Sequence, residues 1–529
     1  MRKLLAVAAV AAVAGCFNDP SDPKTWIKQL DDPRDSKEAA RQLVKLKNAQ
    51  AVPALITLFK RSHDPEHLKA IVSFDDKSPE LVATLIDSLD FSEDSFDNAS
   101  IAATALGEIG DKSAVEPLMK ALVKPLPVKT RANVVKLEAM KSLSKIRDPR
   151  AVDGLIKVLA TPAEDQDFFL NKVAAKSLGA FADPKAVPAL VRGLFMSGAG
   201  ATAGANIFQE CRASLIAIGE PAVDKLVETL QRKNTDVEFD AKKYNFFPGI
   251  VEQKAAMVLG DIRSQKAVPA MLEQLGKPDD GLKAGPGQGV SGHQSIIVAL
   301  GQIAGPEVAK PLIAILADPK APPKYKTAAA DALNLVGDPS ALPALLKVAG
   351  ESFIDAKSKT IDAEKGAVVA SAATAFSRLA DDTTPAVKWQ ALPKDLEETD
   401  AHRVFKAADL RIDVAKACKK DVACYAKEVT QKDPPKTFGD DVTWIRAEKA
   451  AFMLGRLGKP GLAELAKHLD CEDLSLRNQI VAVIGHFADK GCAECVAALD
   501  KAIDHDRDKT GDLKHIVDEM RAVRAQLSH

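Results

Sequence analysis

Apolar residues return along this chain in a fixed rhythm. In "IRDPRAVDGLIKVLA" (146–160), "FADPKAVPALVRGLF" (181–195) and "VGDPSALPALLKVAG" (336–350), a small apolar anchor is followed three and seven positions later by further apolar residues. The anchor sets include Val115, Leu118, Leu122; Val152, Leu155, Leu159; Val187, Leu190, Leu194; Val223, Leu226, Leu230; and Val268, Met271, Leu275. Those offsets fall on one stripe of a helix, not on the face of a strand. Pro follows the anchor in several copies (Pro53, Pro188, Pro269, Pro343), where the first helical turn tolerates a missing N–H. Upstream of each copy lies another amphipathic segment rich in Ala and Leu, such as "NASIAATALGEIGD" or "VEQKAAMVLGDIRS". Gly110, Gly219, Gly337 and Gly458 stand where these segments should stop, able to take a left-handed cap conformation. Gly107, Gly179, Gly260, Gly301, Gly455 and Gly485 fall one turn earlier. An interior glycine costs a helix about 1 kcal/mol against Ala, so its recurrence predicts a close crossing of the partner helix. Each unit is helix, tight turn, helix.

The middle apolar position recurs at Leu55, Leu85, Leu118, Leu155, Leu190, Leu226, Met271, Leu312, Leu345, Tyr425, Leu465 and Leu499. A longer step after Leu226 absorbs the insertion "KNTDVEFDAKKYNFF", and the gap between Leu345 and Tyr425 leaves room for a degenerate unit near Val387 and Trp389. The expected fold is all-α, an α-solenoid of about 12–13 stacked two-helix units. Units opening on "D-P-x-A-V-x-x-L" and closing on "A-x-x-x-L-G" resemble HEAT repeats, in particular the bacterial subset named after phycobilisome lyases, over nearly the whole chain. The resemblance implies an elongated superhelix, on the order of 120 Å for a dozen layers, whose second helices line the concave side. It says little about activity.

The first residues follow another rule. "MRKLLAVAAVAAVAGC" has a basic start and an apolar run from Leu4 to Ala14, long enough for a signal peptide and too short to span a bilayer. Its ending, Val13-Ala14-Gly15-Cys16, resembles the lipobox of bacterial lipoproteins. That resemblance implies a signal peptide over 1–15 and acylation of Cys16, with 16–29 carrying the lipid and a polar tether; an ordinary secretory leader is the alternative. In that family an Asp after the Cys retains the protein at the inner membrane. Phe17 stands there instead, so the expected place is the outer membrane, facing the periplasm.

Formal charge is −1 and aromatics make up 5% of the residues. A chain so balanced has no field to draw in phosphate backbones, and it is poor in stacking platforms, so nucleic acid is not an expected partner. "GQGVSG" (287–292) matches a dinucleotide fingerprint, but no strand precedes it, and a loop between units explains it. "HDPEH" (63–67) spells a zinc-protease motif, but Pro65 makes Asp64 a helix cap and leaves His63 outside. "SLSK" (142–145) lies in mid-helix. No catalytic residue, metal or cofactor is expected.

Six cysteines follow Cys16. Cys418 and Cys424 bracket a helical hairpin turn, within disulfide reach in an oxidising compartment. Cys492 and Cys495 ("CAEC") have a spacing that permits a bridge, with unpaired thiols, a redox pair and half a zinc site as alternatives. Cys471 is left unpaired and Cys211 is placed in the core. The fifth position after each anchor should face outward. It gives basic rungs at Lys120, Lys157 and Arg192, then Glu228 and Glu273, then Lys347. This is either a solvated face or a charge-patterned groove for other proteins.

The expected organisation is an N-terminal array over 30–350, a degenerate repeat or hinge over 351–400, and a C-terminal array with paired cysteines over 401–529. The expected function is a non-catalytic, lipid-anchored scaffold of the cell envelope that binds other proteins. A redox or lyase-type enzyme using the C-terminal cysteine pair is the alternative.

Overall fold

The Asp-Pro dipeptide that opens three of the repeats is a capping device. The side chains of Asp148, Asp183 and Asp338 accept the amide N–H two residues on, at 3.1, 2.9 and 2.8 Å. Each thereby starts a single 3-10 turn (Pro149–Ala151, Pro184–Ala186, Pro339–Ala341). The chain then runs straight into the second helix, whose first residue is the anchor. Val152, Leu155 and Leu159, and likewise Val115, Leu118 and Leu122, are buried as the offsets require.

A computed structural model of the protein describes residues 20–284, 287–354, 360–385, 387–389, 400–430, 442–489, 491–506, 509 and 511–528. Cys16 and residues 391–399 of the expected hinge lie outside the described residues. Among the described residues the fold is all-α, with only isolated bridges besides helices and turns, such as Ser197 with Asn206 and Ile354 with Ile361. The chain forms two compact units. One is residues 1–189 with 196–210, and the other is 190–195 with 211–529.

In the first unit, α1 (Asp97–Ile109) and α2 (Val115–Leu122) form one repeat, and α3 (Asn133–Ile146) and α4 (Val152–Ala160) the next. The second unit contains α5 (Ile250–Ile262), α6 (Val268–Leu275), α7 (Gly292–Ile303), α8 (Pro323–Val336), α9 (Leu342–Ala349) and α10 (Ala363–Leu379). It continues through α11 (Asp400–Cys418), α12 (Val422–Val429), α13 (Val442–Arg456), α14 (Leu474–Phe487), α15 (Ala493–His505) and α16 (Asp512–Ser528). At the degenerate repeat, α10 is a complete first helix, whereas Val387–Trp389 is not helical. Trp389 instead stacks on Phe405 at 5.2 Å and donates to Asp409 at 2.7 Å.

The interior glycines serve a different neighbour from the one expected. Gly107, Gly260, Gly301, Gly455 and Gly485 face the first helix of the following repeat, not the partner within their own. A Cβ on Gly107 of α1 would lie 2.7 Å from Ser142 Cα of α3, and one on Gly301 of α7 would lie 2.6 Å from Ala332 Cα of α8. Gly260 stands in the same relation to Ala299, Gly455 to Val483, and Gly485 to Val523. First helices thus approach backbone to backbone. The second helices of the first unit meet through side chains, as where Gly154 of α4 faces the tip of Met119. In the second unit the end of α5 meets α14 through Arg263 and Gly485 O, which gives the first helices the inner position that the HEAT resemblance assigns to the second ones.

The helix ends also depart from the glycine rule. Gly110 and Gly337 are left-handed as expected, but Arg147, Ala182 and Arg263 hold the same conformation without being glycine. Gly219 and Gly458 combine positive φ with extended ψ, a region that favours glycine, although Ala304 at the end of α7 also holds it.

Within the second unit the chain returns on itself. Arg263, just past α5, donates from Nη1 to Gly485 O of α14 at 2.7 Å, and Gln526 of α16 donates to the same carbonyl at 3.2 Å. A Cβ on Gly337 would touch the Phe487 ring at 3.4 Å. Burial, with the adjacent Arg263 guanidinium, pushes His486 down to about 4. Further along, Lys449 of α13 is fully buried and donates to the carbonyls of Ser377, Arg378 and Ala380, while Arg456 donates to Leu379 O at 2.8 Å. Two cations of α13 thereby satisfy the open carbonyl end of α10.

Two predictions follow from this packing. Gly301→Ala should cost about 2 kcal/mol by overpacking. Ala182→Gly, at an exposed left-handed position, should gain about 1 kcal/mol. Urea denaturation of both variants reads the two signs. A histidine with a depressed folded value contributes stability that is complete above its unfolded value of 6.5 and is lost as pH falls toward about 4. Acidification from pH 7 to 5 should therefore weaken the second unit by about 2 kcal/mol through this group, and His486→Phe should flatten that part of the stability profile.

Candidate functional site

On the inner side of the second unit the first helices enclose an open cavity of about 470 Å³. Two helical stripes make its walls. Gln253, Met257 and Asp261 are one turn apart along α5, and Gln294, Val298 and Gln302 are one turn apart along α7. Arg212, on the Phe208–Ile218 helix, closes one side and Lys324 of α8 another.

The charges are unequally satisfied. Arg212 makes a bidentate pair with Asp261, Nε to Oδ2 at 2.6 Å and Nη2 to Oδ1 at 2.9 Å. Lys324 has no carboxylate within ion-pair distance, and the carboxamides of Gln253, Gln294 and Gln302 make no hydrogen bond, among the described residues. Gly260 makes room for Gln302, since a Cβ there would lie 2.2 Å from its Oε1. Val298 is 40% exposed and offers an apolar surface between the two amides of α7.

The "GQGVSG" stretch supplies the cavity's rim at Gly289, Val290 and Ser291. Val290 O is wedged against Gly249 and Gly281, where a Cβ would stand 1.8 or 1.7 Å away. Ser291 caps α7, and its hydroxyl and that of Tyr325 both donate to Asp279 Oδ2 at 2.5 Å. Burial raises the Asp279 carboxyl, and these donors outweigh it and hold the group below its usual range. The loop is a connector between repeats, and no strand leads into it among the described residues. Residues 285–286 just before it lie outside the described residues.

The other sequence motifs take structural places. His63 ends one helix in a left-handed conformation and Asp64 caps the next through Glu66 N at 2.9 Å. Ser142 is buried and donates to Ala103 O at 2.7 Å. No group of three or more His, Cys, Asp or Glu side chains able to hold a metal occurs among the described residues.

Disulfides join Cys418 to Cys424 and Cys492 to Cys495, each with Cα atoms 5.3 Å apart. The first closes the turn between α11 and α12, and the second staples the first turn of α15, where Cys492 Sγ also accepts from Cys495 N at 3.3 Å. Cys211 is buried, and burial pushes the Cys471 thiol up to about 11, away from nucleophilic use.

The outward positions divide by their partners. Lys120, Lys157 and Lys347 are exposed on second helices without an ion pair among the described residues. Arg192 instead forks onto Asp240 at 2.6 and 2.8 Å. Glu228 is held by Lys225 at 2.9 Å, and Glu273 by Lys277 at 3.1 Å and Gln231. Three of the six rungs are therefore neutralised within the fold.

Comparison with known families matches residues 82–167 to HEAT repeats and residues 172–195 to the PBS lyase HEAT-like repeat. The chain carries HEAT repeats. No curated protein sequence matches it. Among solved structures it is similar to the karyopherin Kap121p, at 13% identity and a TM-score of 0.43, over 94% of this chain and 52% of that one. It is similar to importin beta at 12% identity and a TM-score of 0.41, over 92% and 70%. Human deoxyhypusine hydroxylase follows at 19% and 0.20, over 56% and 94%. The chain spans about half the length of the Kap121p chain. Likeness at these levels assigns no role.

Each disulfide closes a short loop, so its removal should cost about 2 kcal/mol of unfolding free energy by the loop-closure model. Denaturation of Cys418→Ser and Cys492→Ser variants, with and without reductant, measures this.

Proposed function

We propose that this HEAT-repeat protein is a non-catalytic scaffold that holds other proteins and is anchored to the cell envelope by lipid on Cys16. The observation that carries the reading is the inner wall of the second unit, where three carboxamides on two helical stripes, with the ammonium of Lys324 beside them, have no hydrogen-bond or ion-pair partner among the described residues. Groups of this kind, on a rigid backbone, recognise a partner's polar chain at little entropic cost. In the first unit the exposed lysines at 120 and 157 offer a charge-guided surface, and in the second unit Lys347 is likewise exposed. The lipobox-like ending at Cys16 and the two disulfides favour an oxidising, extracytoplasmic setting. Phe17 favours the outer membrane.

The test is crosslinking in native cells, followed by capture through a C-terminal tag, with Lys120→Ala, Lys157→Ala and Lys347→Ala combined as a control. A small reproducible set of protein partners, diminished in the control, is expected. Metabolic labelling with palmitate should mark the wild type and not Cys16→Ala. Absence of any protein partner in intact cells would overturn the scaffold reading. Loss of function in Cys492→Ser with Cys495→Ser, without loss of folding, would instead support redox chemistry at that pair.

A further inference from the structure

We infer that the cavity between α5 and α7 binds an extended peptide segment of about four residues that carries a carboxylate. The inference rests on the protein-binding reading and names what that reading leaves open, the chemistry of the segment recognised.

The dimensions are the first argument. Gln294 and Gln302 are eight residues apart on α7, a rise of about 12 Å at 1.5 Å per residue. Four residues of extended chain span about 13 Å at 3.3 Å each. The two carboxamides therefore stand in register with peptide groups four residues apart. Gln253 of α5 lines the same cavity, with Met257 and Val298.

The chemistry of the donors is the second argument. A carboxamide offers both N–H donors and an oxygen acceptor, and the ligand group that matches it in both respects is another amide. A peptide backbone supplies such groups at every residue, with side chains alternating away from and toward the wall. Val298, 40% exposed between the two amides of α7, gives an inward-pointing apolar side chain its contact.

Charge is the third. Arg212 is matched by Asp261 at 2.6 and 2.9 Å and adds no net field. Lys324 is the cavity's uncompensated charge, so the occupant bears a carboxylate at that end, from an acidic side chain or a chain terminus. The rim is fixed through Asp279, Ser291 and Tyr325, so the site needs little rearrangement to receive it.

The test uses the full-length protein and a phage-displayed library of random twelve-residue peptides. Enriched peptides should share Asp or Glu. As synthetic peptides with amidated ends they should bind at least tenfold more weakly to Lys324→Ala and to the double variant Gln294→Ala, Gln302→Ala, and equally well to Lys45→Ala, an exposed lysine outside the surfaces described above. If binding survives only with a free C-terminus, the carboxylate is the chain terminus and the site stands. Circular dichroism melting of each variant confirms that it is folded. Selected peptides that bind these folded variants unchanged would overturn the site while leaving the scaffold reading intact. So would failure to enrich any peptide while crosslinking in cells still recovers partners. Competition by free glutamate at the same concentration as the peptide would show a pocket for small acids and also overturn the proposal.

Discussion

The structure depends on how closely consecutive first helices approach. A side chain of one carbon at Gly301 or Gly107 would overlap the backbone of the next first helix. These glycines therefore set the distance between layers, at the expense of helix propensity. Second helices in the first unit keep side chains between them. In the second unit the first-helix layer closes on itself, since Arg263 beyond α5 reaches Gly485 O of α14. The position of the cavity follows, because the stripes of α5 and α7 that would otherwise face open solvent are turned toward each other.

The second unit also shows how a repeat array accommodates charge. Lys449 is as buried as any leucine of the core, yet its three N–H donors meet three carbonyls at the end of α10. Beside it Glu448 is held by Arg378 and Arg411. Replacing one member would leave a buried charge uncompensated, the costly way to break such a group. These contacts join α10 and α13 across the interval where the second helix of a repeat would stand, and Trp389 fills part of it by stacking on Phe405.

Much of this was legible in the residues. The offsets of three and seven identified the second helices, the Asp-Pro dipeptides marked the turns, and Asp64 was recognisable as a cap. What could not be read is of three kinds. Arg147, Ala182 and Arg263 occupy left-handed caps that carry no glycine to signal them. Glu448 and Lys449 sit in an Ala-rich helical pattern where adjacent charges look like a solvent face, and only the path of α10 makes them interior. Gln253, Gln294 and Gln302 are ordinary outward residues of their helices until curvature brings the helices together. Of the neutralised rungs, Glu228 and Glu273 have partners at helical spacing, Lys225 three residues before and Lys277 four after, whereas Asp240 lies 48 positions from Arg192 and cannot be recognised from periodicity.

The bond from Arg263 to Gly485 O spans 222 positions of sequence. An open array is a one-dimensional object, in which each repeat senses only its neighbours and copies can be gained or lost at modest cost. A unit whose end returns to its own middle loses that freedom. The number of layers between α5 and α14 must match the curvature that brings them together, so duplication or deletion of a single repeat there would part the two ends. Over this stretch the chain behaves as a single domain with a fixed length, and its assembly must include one slow, long-range encounter that an open stack of the same helices would not require.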